Sequence, residues 1–556
     1  MAPPDPPTPT RREVRVTTNQ APPLVGHNVV TADAALTEAV LRHSGPEVLE
    51  DLVALGAEAG TAEAREHGQL ANEHHPVLTP YDRYGERIDE VVFHPSWHWL
   101  MERAVGHGLA ATPWEQQEAG SPHAHVRRAA GFMAWSHTEP GHGCPISMTY
   151  AAVPALRADD AVAKEWTPLL ASTTYDPGLR PIAQKRGALV GMGMTEKQGG
   201  SDVRANVTVA RPTAVDGEYT LHGHKWFTSA PMNDLFLVLA QADGGLTCFV
   251  LPRVLPDGTR NQLDVVRLKD KLGNRSNASS ELEFDGTLAR RLGDEGRGVR
   301  TIIEMVAATR LDCVLGSASL MRRAVSEASW HAAHRSAFGS LLVDKPLMQN
   351  VLADLAVESE AATALALRLA SAVDRRDDPH EAALRRIALP LAKLWVCKRT
   401  PAHVAEALEC LGGNGYVEES VLPLLYREAP LNSVWEGSGN VNALDVLRAL
   451  AREPEALAAW ITEVGQARGA DARLDRAVDD TLAMLGESAS LEVGARRLAA
   501  RMALCLQGSL LVRFAPPEVA DVFCASRLGS SYDGVYGALA SGDLRAIVDR
   551  ALPTDR

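Results

Sequence analysis

The chain has 556 residues, of which 46% are apolar and 23% charged, and it carries a formal net charge of −14. This length exceeds what one hydrophobic core can organise, so we expect three or four domains. No apolar run approaches the ~18 residues of a membrane-spanning helix. The acidic balance gives no overall indication of nucleic-acid binding. Seven scattered cysteines without a Cys-x-x-Cys pair argue against a zinc site or a disulfide framework.

These features predict a cytoplasmic protein with no membrane partner and no bound metal. Residues 1–30 begin with a proline-rich, polar stretch that lacks the hydrophobic core of a signal peptide, so we expect an extended tail there. Residues 31–186 contain long Ala/Leu/Glu/Arg stretches interrupted by Pro and Gly, a pattern typical of a helical domain.

Between residues 187 and 294 the pattern changes to short β-branched and aromatic runs. Asp-Gly, Gly-Gly and Pro-Asp-Gly turns separate these runs, as is typical of antiparallel hairpins. The region therefore predicts a compact antiparallel β domain. Its predicted strands cover residues 218–222, 235–240, 246–251, 263–268 and 281–284.

Long helical periods return from residue 295 to residue 450, where four segments with short breaks suggest a helix bundle. A further helical region follows at 451–556. The order predicts an α+β multidomain protein whose β domain lies between helical domains and whose carboxyl end carries an extra helical domain.

Two motifs in the β region have residues suited to binding a flat anionic ligand. The run from Met192 ends in Gly-Gly-Ser-Asp, whose bare amides and hydroxyl can approach an anion closely. The alternative is a polar hairpin loop. Farther on, Trp226 and Thr228 are two residues apart on a predicted strand, so they should share a face, where one covers a ring and the other donates to it. Alternatively, the Trp simply fills the β core.

Three further motifs lie in the helical bundle. The glycine cluster 411–416 follows a helix and is either a helix C-cap or a surface on which a nucleotide lies. Arg335, in the run Arg-Ser-Ala-Phe-Gly, could pair with a pyrophosphate or lie on a solvated surface. Glu436 lies in the Gly/Ser-rich loop Trp-Glu-Gly-Ser-Gly and is either a proton-abstracting base or a helix-start charge.

In order and spacing, these five motifs resemble those of the acyl-CoA dehydrogenases. The shared patterns are Thr-Glu-x-x-x-Gly-Ser-Asp, Lys-Trp-x-Thr, Arg-x-x-Phe-Gly, Leu-Gly-Gly-x-Gly-Tyr and aromatic-Glu-Gly-[Thr/Ser]. The Met-Thr-Glu-Lys-Gln-Gly-Gly-Ser-Asp and Asn-Ser-Val-Trp-Glu-Gly-Ser-Gly-Asn variants, with the carboxyl-terminal extension, are most similar to the AidB-type adaptive-response flavoproteins. The resemblance implies an N-terminal α domain, a middle β-barrel, a four-helix bundle and a homotetramer.

The resemblance also implies FAD as cofactor. It places Trp226 over the flavin and Thr228 near flavin N5. The residues implied around the flavin and its phosphates are Met192, Met194, Thr195, Gly200, Ser201, Trp226, Thr228, Trp435, Ser438 and Asn440. Those implied for the adenine-dinucleotide half, partly from a neighbouring subunit, are Arg335, Phe338, Gly412, Gly413 and Gly415.

Glu436 is the base that the resemblance implies, taking the α-proton of a short or branched acyl-CoA thioester as hydride leaves the β-carbon. Some family members place the base on a bundle helix, but the matching position here is Thr309, which cannot serve. Two features are expected to weaken the activity. The bulk of Trp435 narrows the acyl pocket, and Arg448, if it folds back on Glu436, lowers the pKa of the base. The residues point to no particular electron acceptor.

AidB-like proteins are associated with the response to DNA alkylation and with double-stranded DNA, which implies a similar role for the extension. Residues 451–556 contain 12 arginines, no lysine and 15 acidic residues, so composition alone does not indicate DNA binding. The alternative is a working acyl-CoA dehydrogenase of acyl or amino-acid catabolism without a DNA role. The arginines considered for substrate or DNA contact are Arg448, Arg496, Arg497, Arg501 and Arg513.

Overall fold

A computed structural model of the protein describes residues 19–486, 491–529 and 534–554, so residues 1–18 of the predicted tail lie outside the described residues. The first part of the chain is mainly helical. Asp33 and Thr61 cap two of its helices by accepting backbone N–H groups of the first turn. The helices are α1 (Ala34–Ser44), α2 (Pro46–Ala59), α3 (Ala62–Glu73), α4 (Pro95–Gly106), α5 (Thr112–Glu118), α6 (Ala124–Trp135), α7 (Gly143–Leu156) and α8 (Asp160–Leu170).

A β-hairpin interrupts these helices, which the sequence did not predict. Strands β1 (Val77–Tyr81) and β2 (Arg87–Val92) pair antiparallel. The carboxylate of Asp82 accepts the N–H groups of Tyr84 and Glu86 and so closes the turn. Most residues of both strands are exposed or only partly buried, so no clear apolar alternation marked the hairpin in the sequence.

The middle part of the chain is a closed β-barrel. Strand β6 pairs with β4, β4 with β5, β5 with β9, β9 with β7, and β7 again with β6; β8 pairs with β9. The five predicted runs all lie within strands β5 to β9. Strands β3 and β4 were not predicted, and both pair parallel with β6, so the prediction of a wholly antiparallel domain is wrong for these two strands; parallel neighbours need a crossover connection, which no local pattern marks. The strands are β3 (Val190–Gly193), β4 (Val209–Pro212), β5 (Glu218–Ser229), β6 (Leu235–Ala242), β7 (Gly245–Pro252), β8 (Leu263–Leu268) and β9 (Ser279–Leu292).

The bundle that follows contains three long helices. These pack against one another and against the N-terminal helices, and their buried side chains form one apolar cluster with them. A short hairpin, β10 (Ser336–Ala337) and β11 (Ser340–Leu341), follows the first long helix. The helices are α9 (Gly298–His334), α10 (Pro346–Asp374), α11 (Pro379–Cys410), α12 (Gly413–Tyr416), α13 (Leu422–Glu428) and α14 (Gly439–Arg452).

The carboxyl-terminal helices are fastened to the bundle by buried ion pairs. Glu463 accepts two bonds from Arg368 of α10, at 3.1 and 2.8 Å. Arg527 binds Asp354 and Glu358 of α10, and all five side chains are buried. The helices are α15 (Pro454–Gly465), α16 (Ala472–Met484), α17 (Leu491–Phe514), α18 (Pro517–Phe523) and α19 (Leu544–Ala551).

The predicted order of helical, β and helical parts is therefore confirmed. The exact domain boundaries stay predictions. In the part of the chain that the structure describes, no helix is long and apolar enough to cross a bilayer.

Candidate active site

Glu436 lies in a short loop just before α14. Its backbone has φ +56°, a conformation that residues other than glycine rarely adopt. The carboxylate accepts the Thr309 hydroxyl of α9 at 2.7 Å. Because α14 starts at Gly439 with Ser438 as its N-cap residue, Glu436 is not in the helix. The alternative of a helix-start charge is therefore wrong.

Two cations hold the backbone on either side of the base. Arg310 Nε donates to the Glu436 carbonyl at 3.0 Å, and its Nη1 pairs with Asp445 at 2.8 Å. Lys393 Nζ donates to the carbonyls of Trp435 and Gly437, at 2.6 and 2.7 Å. These contacts keep the loop in its strained conformation.

The environment of Glu436 acts on the pKa of its carboxyl in two opposite directions. Burial raises the pKa of its carboxyl, while the Thr309 hydroxyl and the charges of Lys393 and Arg310 oppose that rise. A raised pKa strengthens the carboxylate as a proton acceptor.

Arg448 does not fold back on Glu436. Its guanidinium is half exposed and pairs with Asp445 at 3.2 Å, because position 448 follows Asp445 by one helical turn. The predicted weakening of the base by Arg448 therefore does not occur, and the cations beside the base are Arg310 and Lys393. Trp435 is partly buried and donates from its indole to Asn432 at 3.0 Å.

The first two motifs are joined by a buried ion pair. Lys225 Nζ lies 2.7 Å from Glu196 Oε1, and both side chains are wholly buried. Burial alone would raise the pKa of Glu196, but Lys225 and the accepted hydrogen bonds lower it to about 2. The backbone N–H of Trp226 donates to the Thr195 carbonyl at 2.8 Å. The loop of the first motif is thereby fixed to β5.

Around Trp226 the β5–β9 pairing shifts register between Lys225 and Thr228. The period-two argument that put Trp226 and Thr228 on one face therefore does not hold across this irregularity. The Trp226 ring instead has the Lys269 ammonium 3.5 Å from its centre. Thr228 is buried, and its hydroxyl has no hydrogen-bond partner among the described residues.

The remaining residues of these loops are accessible to a ligand. Met192, Met194 and Thr195 are partly buried, whereas Gly200 and Ser201 are exposed. After Glu436, Ser438 is partly buried and Asn440 is exposed.

The Arg335–Gly339 and Gly412–Tyr416 segments present exposed backbone. Phe338 has φ +50° and is 99% exposed. Gly412 and Gly413 have open space where a side chain would lie, whereas a side chain on Gly415 would collide with the carbonyl of residue 408. The cluster therefore follows the end of α11 and also leaves bare backbone, and the nucleotide-binding alternative stays a prediction.

Residues 19 and 20 connect these two segments. Arg335 donates to the Asn19 carbonyl, and Asn19 exchanges two further bonds with Ser336. Asn414 donates to Gln20 at 2.8 Å. The Arg335 side chain is thus partly buried and hydrogen-bonded to the protein rather than surrounded by solvent.

The arginines of the extension fall into two groups. Arg513 is partly buried and donates to buried Glu463 at 3.0 Å, so its charge is paired within the protein, and its contact with DNA or substrate stays a prediction. Arg496 and Arg497 are exposed and Arg501 is partly buried on α17. Among the described residues these three arginines form no ion pair. Arg496 lies beside Gly439, next to the active-site loop.

Sequence reasoning missed Lys393 and the Glu196–Lys225 pair. Lys393 is only 1% exposed and lies in an otherwise apolar stretch of α11, residues 387–397. A lysine in such a stretch is rarely buried without a partner, and that signal could have identified it.

Comparison with known proteins supplies three matches to domain families. Residues 19–177 match the adaptive response protein AidB N-terminal domain. Residues 191–287 match the acyl-CoA dehydrogenase middle domain, and residues 296–451 the acyl-CoA dehydrogenase C-terminal domain. The matches follow the helical, β and helical parts of the fold.

Two relatives and a solved structure cover most of the chain. It is 47% identical to the putative acyl-CoA dehydrogenase AidB of Escherichia coli, over 91% of this chain and 93% of the relative. It is 32% identical to acyl-CoA dehydrogenase family member 11 of Caenorhabditis elegans, over 80% of this chain and 74% of the relative. The structure of C. elegans ACDH-11 in complex with C11-CoA superposes on this chain with a TM-score of 0.85 at 28% identity, and the match covers 94% of this chain and 96% of that one.

Proposed function

This chain belongs to the acyl-CoA dehydrogenase family, whose members use FAD, and on that premise we propose that Glu436 removes the α-proton of a short or branched acyl-CoA thioester. The observation that carries the proposal is the carboxyl of Glu436, held by the Thr309 hydroxyl and raised in pKa by burial. The C11-CoA bound to the C. elegans relative supports an acyl-CoA as the substrate class.

The residues present fit FAD. The buried Thr228 hydroxyl has no partner among the described residues, which leaves a donor for a ligand at the implied flavin position. The bare backbone at Gly412 and Gly413 leaves room for the dinucleotide half. FAD, when bound, supplies the acceptor for the hydride that leaves the β-carbon.

The chain's own groups then act on the thioester. Glu436 Oε accepts the α-proton, and the Thr309 hydroxyl keeps that carboxylate oriented. Among the described residues no group accepts the backbone N–H of Glu436. That N–H can donate to the thioester carbonyl, which acidifies the α-carbon.

A panel of acyl-CoAs tests this function. The purified flavoprotein is mixed anaerobically with butyryl-, isobutyryl-, isovaleryl- and undecanoyl-CoA, and the flavin absorbance is followed. We expect rapid bleaching by a short or branched thioester, because the bulk of Trp435, which lies in the loop beside the base, is expected to narrow the acyl pocket. Reduction by dithionite is the control for a competent flavin. Equally slow bleaching by all four thioesters, or a protein without flavin, would contradict the proposal.

The same chain is proposed to assemble as a homotetramer and to associate with double-stranded DNA in the alkylation response. The exposed face of α17 supports the DNA role, since Arg496, Arg497 and Arg501 lie there without ion pairs to described residues. The proximity of Arg496 to Gly439 places this face next to the active-site loop. A homotetramer carries this arginine face four times, so DNA contacts that are weak individually strengthen the overall affinity together.

Replacing Arg496, Arg497 and Arg501 together by Gln should lower the affinity for DNA and make that affinity less dependent on salt concentration. Each lost phosphate contact lowers the slope of log K against log salt by about one. The measurement is DNA affinity by fluorescence anisotropy at several salt concentrations. The control is Arg468→Gln with Arg545→Gln, since both arginines are half exposed but paired with aspartates. Unchanged affinity in the triple variant would favour a dehydrogenase without a DNA role.

A further inference from the structure

The feature that the proposed function leaves unused is a buried lysine behind the base. Lys393 lies in the middle of α11 and is 1% exposed. Its ammonium donates to the carbonyls of Trp435 and Gly437, and among the described residues it has no carboxylate within ion-pair distance. Since an ammonium buried without a counter-charge is costly, its retention here needs an explanation.

The hydrogen bonds of Lys393 determine how two peptide groups are turned. In a trans peptide the C=O and N–H point in opposite directions. With the Trp435 carbonyl held by Lys393, the N–H of Glu436 points away from α11. Arg310 holds the next carbonyl, that of Glu436 itself. The backbone N–H of Glu436 is consequently left without an acceptor among the described residues.

We propose that Lys393 is the positioning residue of this active site: it fixes the peptide before Glu436 so that its N–H faces the thioester carbonyl, and it places a positive charge behind the base. This inference rests on the proposed function. The nearby charge of Lys393 opposes the effect of burial on Glu436. The contacts of Lys393 are with the two loop carbonyls beside Glu436, so it acts on the reaction through the base and its loop.

The first test is a spectroscopic titration that needs no turnover. Flavin absorbance is followed against pH in the wild type, in Glu436→Gln and in Lys393→Met. We expect a step that is absent in Glu436→Gln and moves upward by about one pH unit in Lys393→Met, because loss of a nearby positive charge raises the pKa of a carboxyl. A step at the wild-type pH in Lys393→Met, or no Glu436-dependent step, would overturn the charge role.

Lys185 provides a matched control for a merely structural effect. It is another buried lysine, and its ammonium likewise binds two backbone carbonyls, those of Asp176 and Gly178, besides pairing with Asp234. Lys185→Met should lower thermal stability and leave the titration unchanged. A shift in Lys185→Met as large as in Lys393→Met would mean that any buried lysine has this effect, and the proposal would be wrong.

The second test separates peptide orientation from charge. In the Glu436→Gln background, the affinity for butyryl-CoA is compared with that for S-butyl-CoA, a thioether that lacks the carbonyl. The preference for the thioester should fall about tenfold on Lys393→Met and be kept in Lys393→Gln, whose amide can still donate. An unchanged preference in Lys393→Met would refute the orienting role.

These outcomes also distinguish the inference from the proposed function. If no acyl-CoA reduces the wild-type flavin, the proposed function fails, yet the titration still decides whether Lys393 controls Glu436. If Lys393→Met does not fold, Lys393→Gln carries the titration, because it removes the charge, and Lys393→Leu, which removes both charge and donor, takes the place of Lys393→Met in the affinity comparison.

Discussion

Glu436→Gln should lower the rate of flavin reduction by an acyl-CoA by about 10³-fold or more, within the range that loss of a general base produces. The amide is nearly isosteric and can still accept the Thr309 hydroxyl, so the loop should keep its structure. The measurement is the anaerobic bleaching rate in stopped flow. Because burial raises the pKa of Glu436, the wild-type rate should rise with pH as this carboxyl loses its proton, and the variant should lack that limb.

Two controls make this result specific. The variant should retain its flavin and be reduced by dithionite at the wild-type rate. Glu453→Gln alters a carboxylate just after the far end of α14, where it pairs with Arg386, and should leave the bleaching rate nearly unchanged. A Glu436→Gln enzyme within tenfold of the wild type would mean that the base lies elsewhere.

Lys225→Met should destabilise the protein by about 3–5 kcal/mol, since it leaves the Glu196 carboxylate buried without its counter-ion. Flavin should be lost as well, because the pair fixes the loop of the first motif to β5. The measurements are urea unfolding at pH 7 and the flavin content after gel filtration. The pKa of Glu196 is lowered to about 2 from an ordinary 4.5. The stabilisation is therefore full above pH 4.5 and is lost as the pH falls toward 2.

The double variant Lys225→Met/Glu196→Gln should recover part of this loss, since it removes the uncompensated charge. Lys197→Met is the surface control: its ammonium is half exposed and 3.9 Å from Glu283, so the change should be within about 0.5 kcal/mol. A loss below about 1 kcal/mol in Lys225→Met would show that the pair contributes little to the barrel.

Local patterns were sufficient to predict the order of the helical and β parts. The runs within β5 to β9 carried turn signals at each end, and the loop around Glu436 was recognisable from its own residues. The β1–β2 hairpin was missed because few of its side chains are buried. The shift at Trp226 was missed because a register irregularity depends on the partner strand rather than on the strand itself.

The arrangement around the base could not be predicted in the same way. Thr309 and Glu436 are 127 residues apart in the chain, and no local pattern reports such a contact. Arg448 was considered because it is near Glu436 in sequence, whereas Arg310 and Lys393 reach the loop from other helices. Sequence distance is a poor guide where three helices converge on one loop.

The buried ion pairs between the carboxyl-terminal helices and α10 bear on how this chain unfolds. Removing residues 451–556 would leave Asp354 without Arg527, Glu358 with Arg399 as its remaining cation, and Arg368 without Glu463. The extension therefore cannot be regarded as an accessory fused to a finished enzyme. Bundle and extension are expected to unfold as one cooperative unit.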